Sequence, residues 1–311
     1  MQILRSVPDA ASSPVALTIG NFDGVHLGHQ AMLAKLRAAA SVRGLPACVM
    51  TFEPHPREFF APDQAPVRLT TLREKLQMLQ QHGVDRAYVL RFNFGLAQVT
   101  AQDFIERILV RGLGVRWLQV GDDFRFGARR AGDLAMLRAQ AAQHGYEVEG
   151  MATVEHDGGR VSSTSVRETL ASGDVARAGR LLGRPYSISG RVVSGDRLGR
   201  ELGFPTANVR MKHNRPPLTG IFAVELIRKD GKQLQGVASL GVRPTVKARG
   251  AAPVLEVYIF DFKEEIYGEL VRVDFLHKFR DEAKYVDLET LKQQIARDVA
   301  DTRAFFSRRA A

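Results

Sequence analysis

The first half of this 311-residue chain alternates short apolar runs with longer segments whose apolar residues recur at helical spacing. The runs predicted to be buried strands are Val15 to Ile19, Ala47 to Phe52, Ala87 to Leu90 and Trp117 to Val120. The predicted helices are His29 to Arg43, Leu72 to His82, Ala101 to Arg111 and Leu134 to His144. Because strands that alternate with helices pair in parallel, this half is expected to form an α/β domain with helices on both faces of a parallel sheet.

From Ile188 onward the pattern changes to that of short strands separated by turns. The predicted strands are Ile188 to Val193, Gly220 to Arg228, Leu234 to Leu240, Val254 to Phe262 and Leu270 to Phe275. They predict an antiparallel barrel or sandwich, followed by an amphipathic helix from about Asp287 to Phe306. A helix from about Thr164 to Leu182, interrupted at Gly173, precedes this region. We therefore place the domain boundary at Gly183-Arg184-Pro185, giving domains of residues 1–184 and 185–311.

Composition and charge narrow the class of protein and of partner. Hydrophobic content of 45% and charged content of 25% are typical of folded globular proteins and exclude collagen-like and disordered classes. The net charge of +10 favours an anionic partner, but no run of five like charges supports a nucleic-acid-binding arm. The single cysteine, Cys48, allows no internal disulfide, and no apolar stretch approaches the roughly 18 residues of a membrane span. We expect a cytoplasmic protein without a membrane or nucleic-acid partner.

A glycine-rich turn with two histidines joins the first predicted strand to the first predicted helix. Its sequence is Gly20-Asn21-Phe22-Asp23-Gly24-Val25-His26-Leu27-Gly28-His29. Glycines allow close backbone approach, and the start of a helix offers unpaired amides, so an anion fits there. His26 and His29 are three residues apart and would project from one side of the first helical turn. Two imidazoles could stabilise charge on a phosphorus centre. The alternative is that both histidines only cap or pack the turn.

Four motifs in order resemble a known enzyme family. His26-Leu27-Gly28-His29 has the H-x-G-H pattern of the nucleotidyltransferase superfamily, and the string from Gly20 resembles the prokaryotic bifunctional riboflavin kinase/FMN adenylyltransferase family. The later motifs are Thr51-Phe52-Glu53-Pro54-His55-Pro56, Val120-Gly121-Asp122-Asp123-Phe124-Arg125-Phe126-Gly127 and Ser162-Ser163-Thr164-Ser165-Val166-Arg167. The resemblance covers almost the whole chain. It implies a Rossmann-like nucleotidyltransferase domain followed by a riboflavin kinase-like β-barrel with a terminal helix.

For the first domain, the resemblance implies that His26, His29 and Arg167 are catalytic. The residues implied to bind nucleotide or flavin are Gly20, Asn21, Phe22, Asp23, Gly24, Asp123, Ser163 and Thr164. Ser163 and Thr164 also suit the start of a helix, where amides and hydroxyls hold phosphate, with Arg167 close behind. An ordinary N-cap with a solvated arginine is the alternative. Asp123 follows a predicted parallel strand, at the end where ligands bind in such sheets.

In the second domain, Gly203-Phe204-Pro205-Thr206-Ala207-Asn208 carries a hydroxyl and an amide two residues apart. In an extended chain, Thr206 and Asn208 point the same way, and such neutral oxygens suit Mg²⁺. A turn whose side chains satisfy their own backbone is the alternative. The preceding loop, Val193 to Arg200, contains Gly195 and two arginines and could fold over phosphate. The resemblance to riboflavin kinases implies that Thr206 and Asn208 hold Mg-ATP.

One strand of the second domain carries the candidate base. Glu256 shares a strand face with Tyr258 and Phe260, so its carboxylate would be partly desolvated and a better proton acceptor. The family's base occupies this position, although its members often have histidine where this chain has Tyr258. A solvent-facing glutamate is the alternative. Arg280 precedes the last helix and resembles the family segment that contacts flavin or ADP.

Together these features predict two ATP-dependent transferase reactions. Riboflavin would be phosphorylated to FMN, and FMN would be adenylylated to FAD with release of pyrophosphate, with Mg²⁺ as cofactor and ATP as co-substrate. The prediction allows a homo-oligomer. Two other classes remain open. One is a tRNA-handling enzyme, although no K-M-S-K-S-like loop is present. The other is a non-catalytic flavin- or nucleotide-binding regulator, against which the intact set His26, His29, Thr206, Asn208 and Glu256 argues.

Overall fold

The structure is a computed structural model that describes residues 1–195, 198–212, 215–242 and 253–310. Contacts divide it into two compact units. The first comprises Met1–Pro66 and Leu72–Ser162, and the second comprises Val67–Thr71 and Ser163–Ala311. In the described part of the chain, no helix is both long and apolar enough to cross a bilayer.

A parallel sheet of six strands forms the centre of the first unit. In chain order the strands are β1 (Gln2–Leu4), β2 (Val15–Ile19), β3 (Ala47–Glu53), β4 (Arg86–Arg91), β5 (Val115–Gly121) and β6 (Glu147–Met151). Their spatial order is β1-β4-β3-β2-β5-β6. The chain therefore leaves β2 in one direction and returns on its other side at β5. This reversal creates a crevice at the carboxyl ends of β2 and β5, where open α/β sheets bind ligands.

Helices cover both faces of this sheet, as predicted. They are α1 (Leu27–Arg43), α2 (Pro56–Phe60), α3 (Leu72–Gln81), a π-helix (Phe104–Gly112) and α4 (Leu134–His144). Shorter pieces are the helical turns Phe94–Ala97 and Ala101–Asp103, the 3-10 turns Pro62–Gln64 and Ala128–Arg130, and the strand pairs Arg125–Phe126 with Gly132–Asp133 and Glu155–His156 with Gly159–Arg160. Two clusters of buried side chains form the core. In one, residues of α1 and α3 pack against the strands; in the other, residues of the π-helix and α4 pack against the strands.

The predicted helix Ala101 to Arg111 is only partly α-helical. Ala101–Asp103 forms a short α-helical turn, and Phe104–Gly112 continues as a π-helix. Phe104 and Leu109, five residues apart, are both buried. The wider turn with its i to i+5 hydrogen bonds suits that spacing, because it returns both side chains to the sheet.

The second unit contains a closed six-stranded antiparallel barrel, which decides between the predicted barrel and sandwich. Its strands are β7 (Tyr186–Val193), β8 (Thr206–Met211), β9 (Gly220–Ile227), β10 (Gln233–Val242), β11 (Pro253–Ile259) and β12 (Leu270–Arg280). They follow the order β7-β8-β11-β10-β9-β12, and β12 pairs with β7 to close the barrel. Every pairing is antiparallel.

Three longer helices accompany the barrel: α5 (Ser163–Ala171), α6 (Val175–Leu182) and α7 (Leu288–Ala310), with a helical turn at Leu198–Glu201. Gly173, with φ +85°, separates α5 from α6 where the interruption was predicted. Helix α7 packs on β9 and β10. Contacts group α5 and α6 with the barrel. The boundary predicted after residue 184 separates the two activities, whereas the contacts separate two compact units. The boundary between the activities therefore stays a prediction.

Candidate active sites

A cavity of about 230 Å³ lies at the carboxyl ends of β2, β5 and β6, where the strand order reverses. His26 and His29 line it after β2, Asp123 after β5 and Met151 at the end of β6. The structure therefore brings Asp123 and the two histidines to one cavity. This is the crevice in which a parallel α/β sheet binds a nucleotide.

The turn before His26 is held in an uncommon backbone conformation. Phe22 has φ +49° and Val25 has φ +41°, a region that β-branched residues such as valine rarely adopt. Both side chains are fully buried, so packing stabilises the strained turn. The turn residues Gly20, Asn21, Phe22, Asp23 and Gly24 are not among the residues that line this cavity. Their contact with a ligand stays a prediction.

The two histidines face each other at the start of α1. Helix α1 begins at Leu27, and the Nδ1 atom of its N-cap residue His26 accepts a hydrogen bond from the backbone N–H of His29 at 3.3 Å. The rings stack with centroids 3.7 Å apart and planes inclined by 20°. A Cβ at Gly28 would lie 3.1 Å from the His26 ring, so glycine makes room for the imidazole. Because Nδ1 of His26 accepts, the neutral ring carries its proton on Nε2.

His29 is held in its neutral form. Its Nδ1 atom is buried and, among the described residues, has no hydrogen-bond partner. Burial lowers the pKa of His29 well below 6.5, and the electrostatic effects of the neighbouring His26 and Lys75 lower it further. At pH 7 the side chain is therefore a neutral imidazole that donates a single N–H rather than a permanent cation.

Asp123 lies in the cavity with the two histidines, whereas Ser163, Thr164 and Arg167 are not among the residues that line it. Asp123 forms an exposed ion pair with Arg160, whose Nη2 lies 2.9 Å from Oδ2. Ser163 is the first residue of α5, and Thr164 next to it is exposed. Arg167 of the same helix donates from Nε to the carbonyl oxygen of Val67 at 2.6 Å. These three residues of α5 are counted with the second unit.

A second cavity, of about 370 Å³, lies on the outer side of the barrel wall. Leu255 and Val257 of β11 are fully buried, whereas Glu256 and Tyr258 between and beyond them are half-buried and line this cavity. The predicted alternation of β11 is confirmed. Helix α7 contributes Leu291 and Ile295 to the cavity wall.

Thr206, Asn208 and Glu256 meet in this cavity. In the ladder between β8 and β11, Asn208 is paired with Glu256 and Thr206 with Tyr258. Directly opposed Cβ atoms in antiparallel strands are about 5 Å apart, so these side chains share one surface. Gly195 lies close to Asn208, since a Cβ there would be 2.4 Å from Nδ2. Asp196 and Arg197 of the same predicted phosphate loop lie outside the described residues.

The chemistry of this donor set fits magnesium. A threonine hydroxyl and an asparagine amide are neutral oxygen donors, and Mg²⁺ typically takes its remaining ligands from phosphates and water. In the described ranges, no group of three His, Cys, Asp or Glu side chains could hold a metal ion. The role of Thr206 and Asn208 as metal ligands stays a prediction.

Arg280 lines the same cavity, but its guanidinium is engaged by the protein. Nε and Nη2 donate to the two carboxylate oxygens of Asp298 at 2.9 and 2.6 Å, and Nη1 donates to the Asp281 carbonyl oxygen at 2.9 Å. Its role as a ligand contact stays a prediction.

Comparison with known proteins accounts for both halves of the chain. The family model described as FAD synthetase matches residues 9–165, and the model described as Riboflavin kinase matches residues 182–306. The chain is 45% identical over 309 residues to the bifunctional riboflavin kinase/FMN adenylyltransferase of Haemophilus influenzae, covering 99% of this chain and 100% of the relative. Identity to the Pseudomonas fluorescens relative of the same description is 51% over 287 residues, covering 92% of this chain and 91% of the relative. The chain belongs to the bifunctional riboflavin kinase/FMN adenylyltransferase family.

A solved structure supports the fold over the same length. The crystal structure described as a macrolide-efflux protein from Streptococcus pneumoniae superposes with a TM-score of 0.84 at 30% identity, covering 97% of this chain and 99% of the other. The term macrolide efflux describes the Streptococcus protein and is not applied to this chain. The predicted fold class, an α/β nucleotidyltransferase domain followed by a riboflavin kinase barrel, is confirmed, and so is the prediction of a bifunctional flavin-nucleotide-forming enzyme.

Several residues that line the two cavities were not predicted from the sequence. Residues 152–154 follow β6, an edge strand without an apolar run, and no motif marks Arg160. In the barrel cavity, Ser239 is the cross-strand partner of Glu256 on β10 and donates to Oε1 of Glu282 at 2.9 Å. The apolar periodicity of the last helix predicted Leu291 and Ile295 as packing residues and not as cavity residues.

Proposed function

We propose that the cavity of the first unit transfers AMP from ATP to FMN, and that the barrel cavity transfers the γ-phosphoryl group of ATP to riboflavin. One observation carries this assignment. Every residue that lines the 230 Å³ cavity lies within the range matched by the FAD synthetase model, and every residue that lines the 370 Å³ cavity lies within the range matched by the riboflavin kinase model. Each reaction therefore has its own cavity.

In the kinase cavity, Glu256 accepts the proton of the terminal ribityl hydroxyl while the hydroxyl oxygen bonds to the γ-phosphorus of ATP. The bond from that phosphorus to the β–γ bridging oxygen breaks, and FMN and ADP result. Thr206 and Asn208 would hold Mg²⁺, which when bound offsets the negative charge of the phosphates. Alignment of the two substrates beside Glu256 supplies most of the acceleration, as is typical of phosphoryl transfer.

In the first unit, a phosphate oxygen of FMN bonds to the α-phosphorus of ATP, and the bond to the pyrophosphate oxygen breaks. His26 donates from Nε2, and neutral His29 donates a second hydrogen bond, to phosphoryl oxygens whose charge grows in the transition state. No covalent bond to the protein is needed. We retain Arg167 as a third catalytic group that stabilises the transition state, and Asp123, Ser163, Thr164 and the turn 20–24 as ligand contacts, on the resemblance of their motifs.

An exposed group of phenylalanines gives the first unit an aromatic surface that suits a flavin ring. Phe59 of α2 lies with its centroid 5.3 Å from Phe60, 5.5 Å from Phe92 and 4.9 Å from Phe94. Phe60 is 66% and Phe94 is 73% exposed, which is unusual for such large apolar side chains. The group follows β3 and β4 at their carboxyl ends, the same edge of the sheet as the cavity. We infer that FMN uses this surface.

The proposal includes Mg²⁺ as cofactor, ATP as co-substrate and the cytoplasm as the compartment. Riboflavin and FMN are the other substrates. Nucleic acid and membrane are not part of the proposed function, and a homo-oligomer is compatible with it. The neutral oxygen donors Thr206 and Asn208 support the proposal of a metal. Because ATP and FMN are anionic substrates, they account for the net charge of +10 without a nucleic-acid partner.

The test is an incubation of the full chain with riboflavin, ATP and magnesium, followed by chromatography of the flavins. FMN should appear first and FAD later, and FMN supplied alone with ATP and magnesium should give FAD and pyrophosphate. Failure to form FMN from riboflavin would contradict the kinase assignment. Failure to form FAD from supplied FMN would contradict the adenylyltransferase assignment. A gel shift with tRNA tests the tRNA-handling alternative.

A further inference from the structure

The wall of the kinase cavity contains an ion pair between a buried carboxylate, Asp298, and a half-buried guanidinium, Arg280, that joins β12 to α7. Asp298 is only 5% exposed, although it carries a charge. Its carboxylate receives two hydrogen bonds from the Arg280 guanidinium and a third from Nε2 of Gln294 at 3.0 Å. The hydroxyl of Thr302, one turn further along α7, donates to the Asp298 carbonyl oxygen at 2.6 Å. The two parallel hydrogen bonds from Arg280 therefore orient the carboxylate of Asp298.

Stability alone is a poor explanation for such a pair. Taking the Asp298 carboxylate and part of the Arg280 guanidinium out of water is unfavourable, and well-packed apolar side chains of similar volume often replace such a pair without loss of stability. Helix α7 already packs through Phe306, which is 6% exposed. An arginine fork bound to a carboxylate instead fixes orientation, because both hydrogen bonds must be kept at once.

The orientation that is fixed is that of one face of α7. Leu291, Ile295 and Asp298 are spaced by four and three residues, so they lie on the same side of the helix. All three line the kinase cavity. When Asp298 is bound to Arg280, this face is turned towards the cavity, and Leu291 and Ile295 form its apolar side. The barrel strands contribute the polar side of the same cavity, through the side-chain oxygens of Thr206, Asn208 and Glu256.

We propose that Asp298 is a positioning residue of the kinase site, which holds Arg280 and the Leu291–Ile295 face of α7 so that the flavin ring is gripped with its ribityl chain towards Glu256. The inference rests on the proposed kinase function. The carboxylate oxygens of Asp298 are engaged by Arg280 and Gln294, so its loss should weaken riboflavin binding more than it slows bound substrate. ATP, which is bound through Thr206 and Asn208, should be little affected.

The first variant is Asp298→Asn, which keeps the size of the side chain and removes its charge. We expect the KM for riboflavin to rise at least about tenfold, while the KM for ATP and the kcat change by less than about threefold. Adenylylation of supplied FMN, measured on the same preparation, should stay at the wild-type rate. If the wild-type enzyme fails to phosphorylate riboflavin, the proposed function is wrong and not this inference.

Asp261→Asn is the matched control. Asp261 also binds α7 to the barrel, through a bidentate pair with Arg303 at 2.9 and 3.0 Å, but its side chain is 80% exposed and does not line the cavity. The control should leave the KM for riboflavin unchanged. An equal rise in the control would mean that any attachment of α7 matters, and would overturn a specific role for Asp298.

A double variant separates positioning from folding. Arg280→Met with Asp298→Leu removes both charges and leaves none buried without a partner, so the fold should be retained. We expect wild-type adenylylation and a raised KM for riboflavin. A wild-type KM in this variant, or loss of both activities in it and in Asp298→Asn, would assign the pair to folding and overturn the inference.

Discussion

Asn208 and Glu256 occupy paired positions on neighbouring strands of the barrel, with the amide and the carboxylate on one surface. Neighbouring strands are about 4.8 Å apart, so a metal-bound phosphate and the hydroxyl that attacks it would be held by adjacent positions of one hydrogen-bond ladder. Because a sheet is more rigid than a loop, it can keep the two substrates aligned, and such alignment supplies much of the rate acceleration in phosphoryl transfer.

Replacement of Glu256 by glutamine should lower the kcat of riboflavin phosphorylation by about 10²- to 10⁴-fold, because an amide does not accept the hydroxyl proton. Formation of FAD from supplied FMN should continue at the wild-type rate and serves as the control for folding. Chromatographic assays of both products on one preparation measure this. A kinase rate within about threefold of wild type would show that another group accepts the proton.

Asn208→Ala should raise the magnesium concentration needed for half-maximal kinase activity by about tenfold or more, because one of two protein oxygens is lost. Arg210→Ala is the control, since Arg210 lies on the same strand but is exposed and outside the cavity. Magnesium titrations of both activities give the measurement. An equal shift in the adenylyltransferase titration would argue against a metal site on the barrel.

His29→Asn should lower the rate of FAD formation from FMN by about 10²- to 10³-fold, the usual effect of losing one donor to a transition-state oxyanion. Riboflavin phosphorylation should not change. His144→Asn is a suitable control, because His144 lies in α4 of the same unit, outside the cavity, and bonds to Gln140. If His29→Asn stops both reactions, the two sites are not independent.

The lowered pKa of His29 predicts an acid sensitivity of the fold. In the unfolded chain this histidine binds a proton as the pH falls through about 6.5, whereas in the folded protein it stays neutral to a lower pH. The unfolded state then binds more protons, so the free energy of unfolding falls as the pH drops below 6.5. Thermal melts of the wild-type enzyme and of His29→Asn from pH 5 to 8 should converge or cross towards acid. Melting temperatures that run parallel over this range would contradict a lowered pKa at His29.

The alternation of apolar runs and helical patterns was sufficient to predict the parallel sheet, and the spacing of His26 and His29 was sufficient to place both rings on one side of a helix start. Strand β8 was not predicted as a strand, because Pro205-Thr206-Ala207-Asn208 has the composition of a turn and becomes a strand only by pairing with β7 and β11. The edge strand β6 was missed because Glu147, Glu149 and Gly150 interrupt its apolar residues.

Contacts between distant parts of the chain account for what the sequence could not supply. Arg280 and Asp298 come from a strand and a helix, 18 residues apart, and no periodicity relates them. The same holds for Arg167, whose bond to the Val67 carbonyl spans 100 residues. Such pairs depend on how finished elements pack, whereas a motif such as H-x-G-H encodes its geometry within a single turn.

Each of the two cavities is lined by side chains from one unit only. Mutations can therefore alter the supply of the mononucleotide and its conversion to the dinucleotide one at a time. A cell that needs a different balance of the two flavin coenzymes can reach it by changing residues on the barrel or on the sheet, without redesigning the other half of the gene.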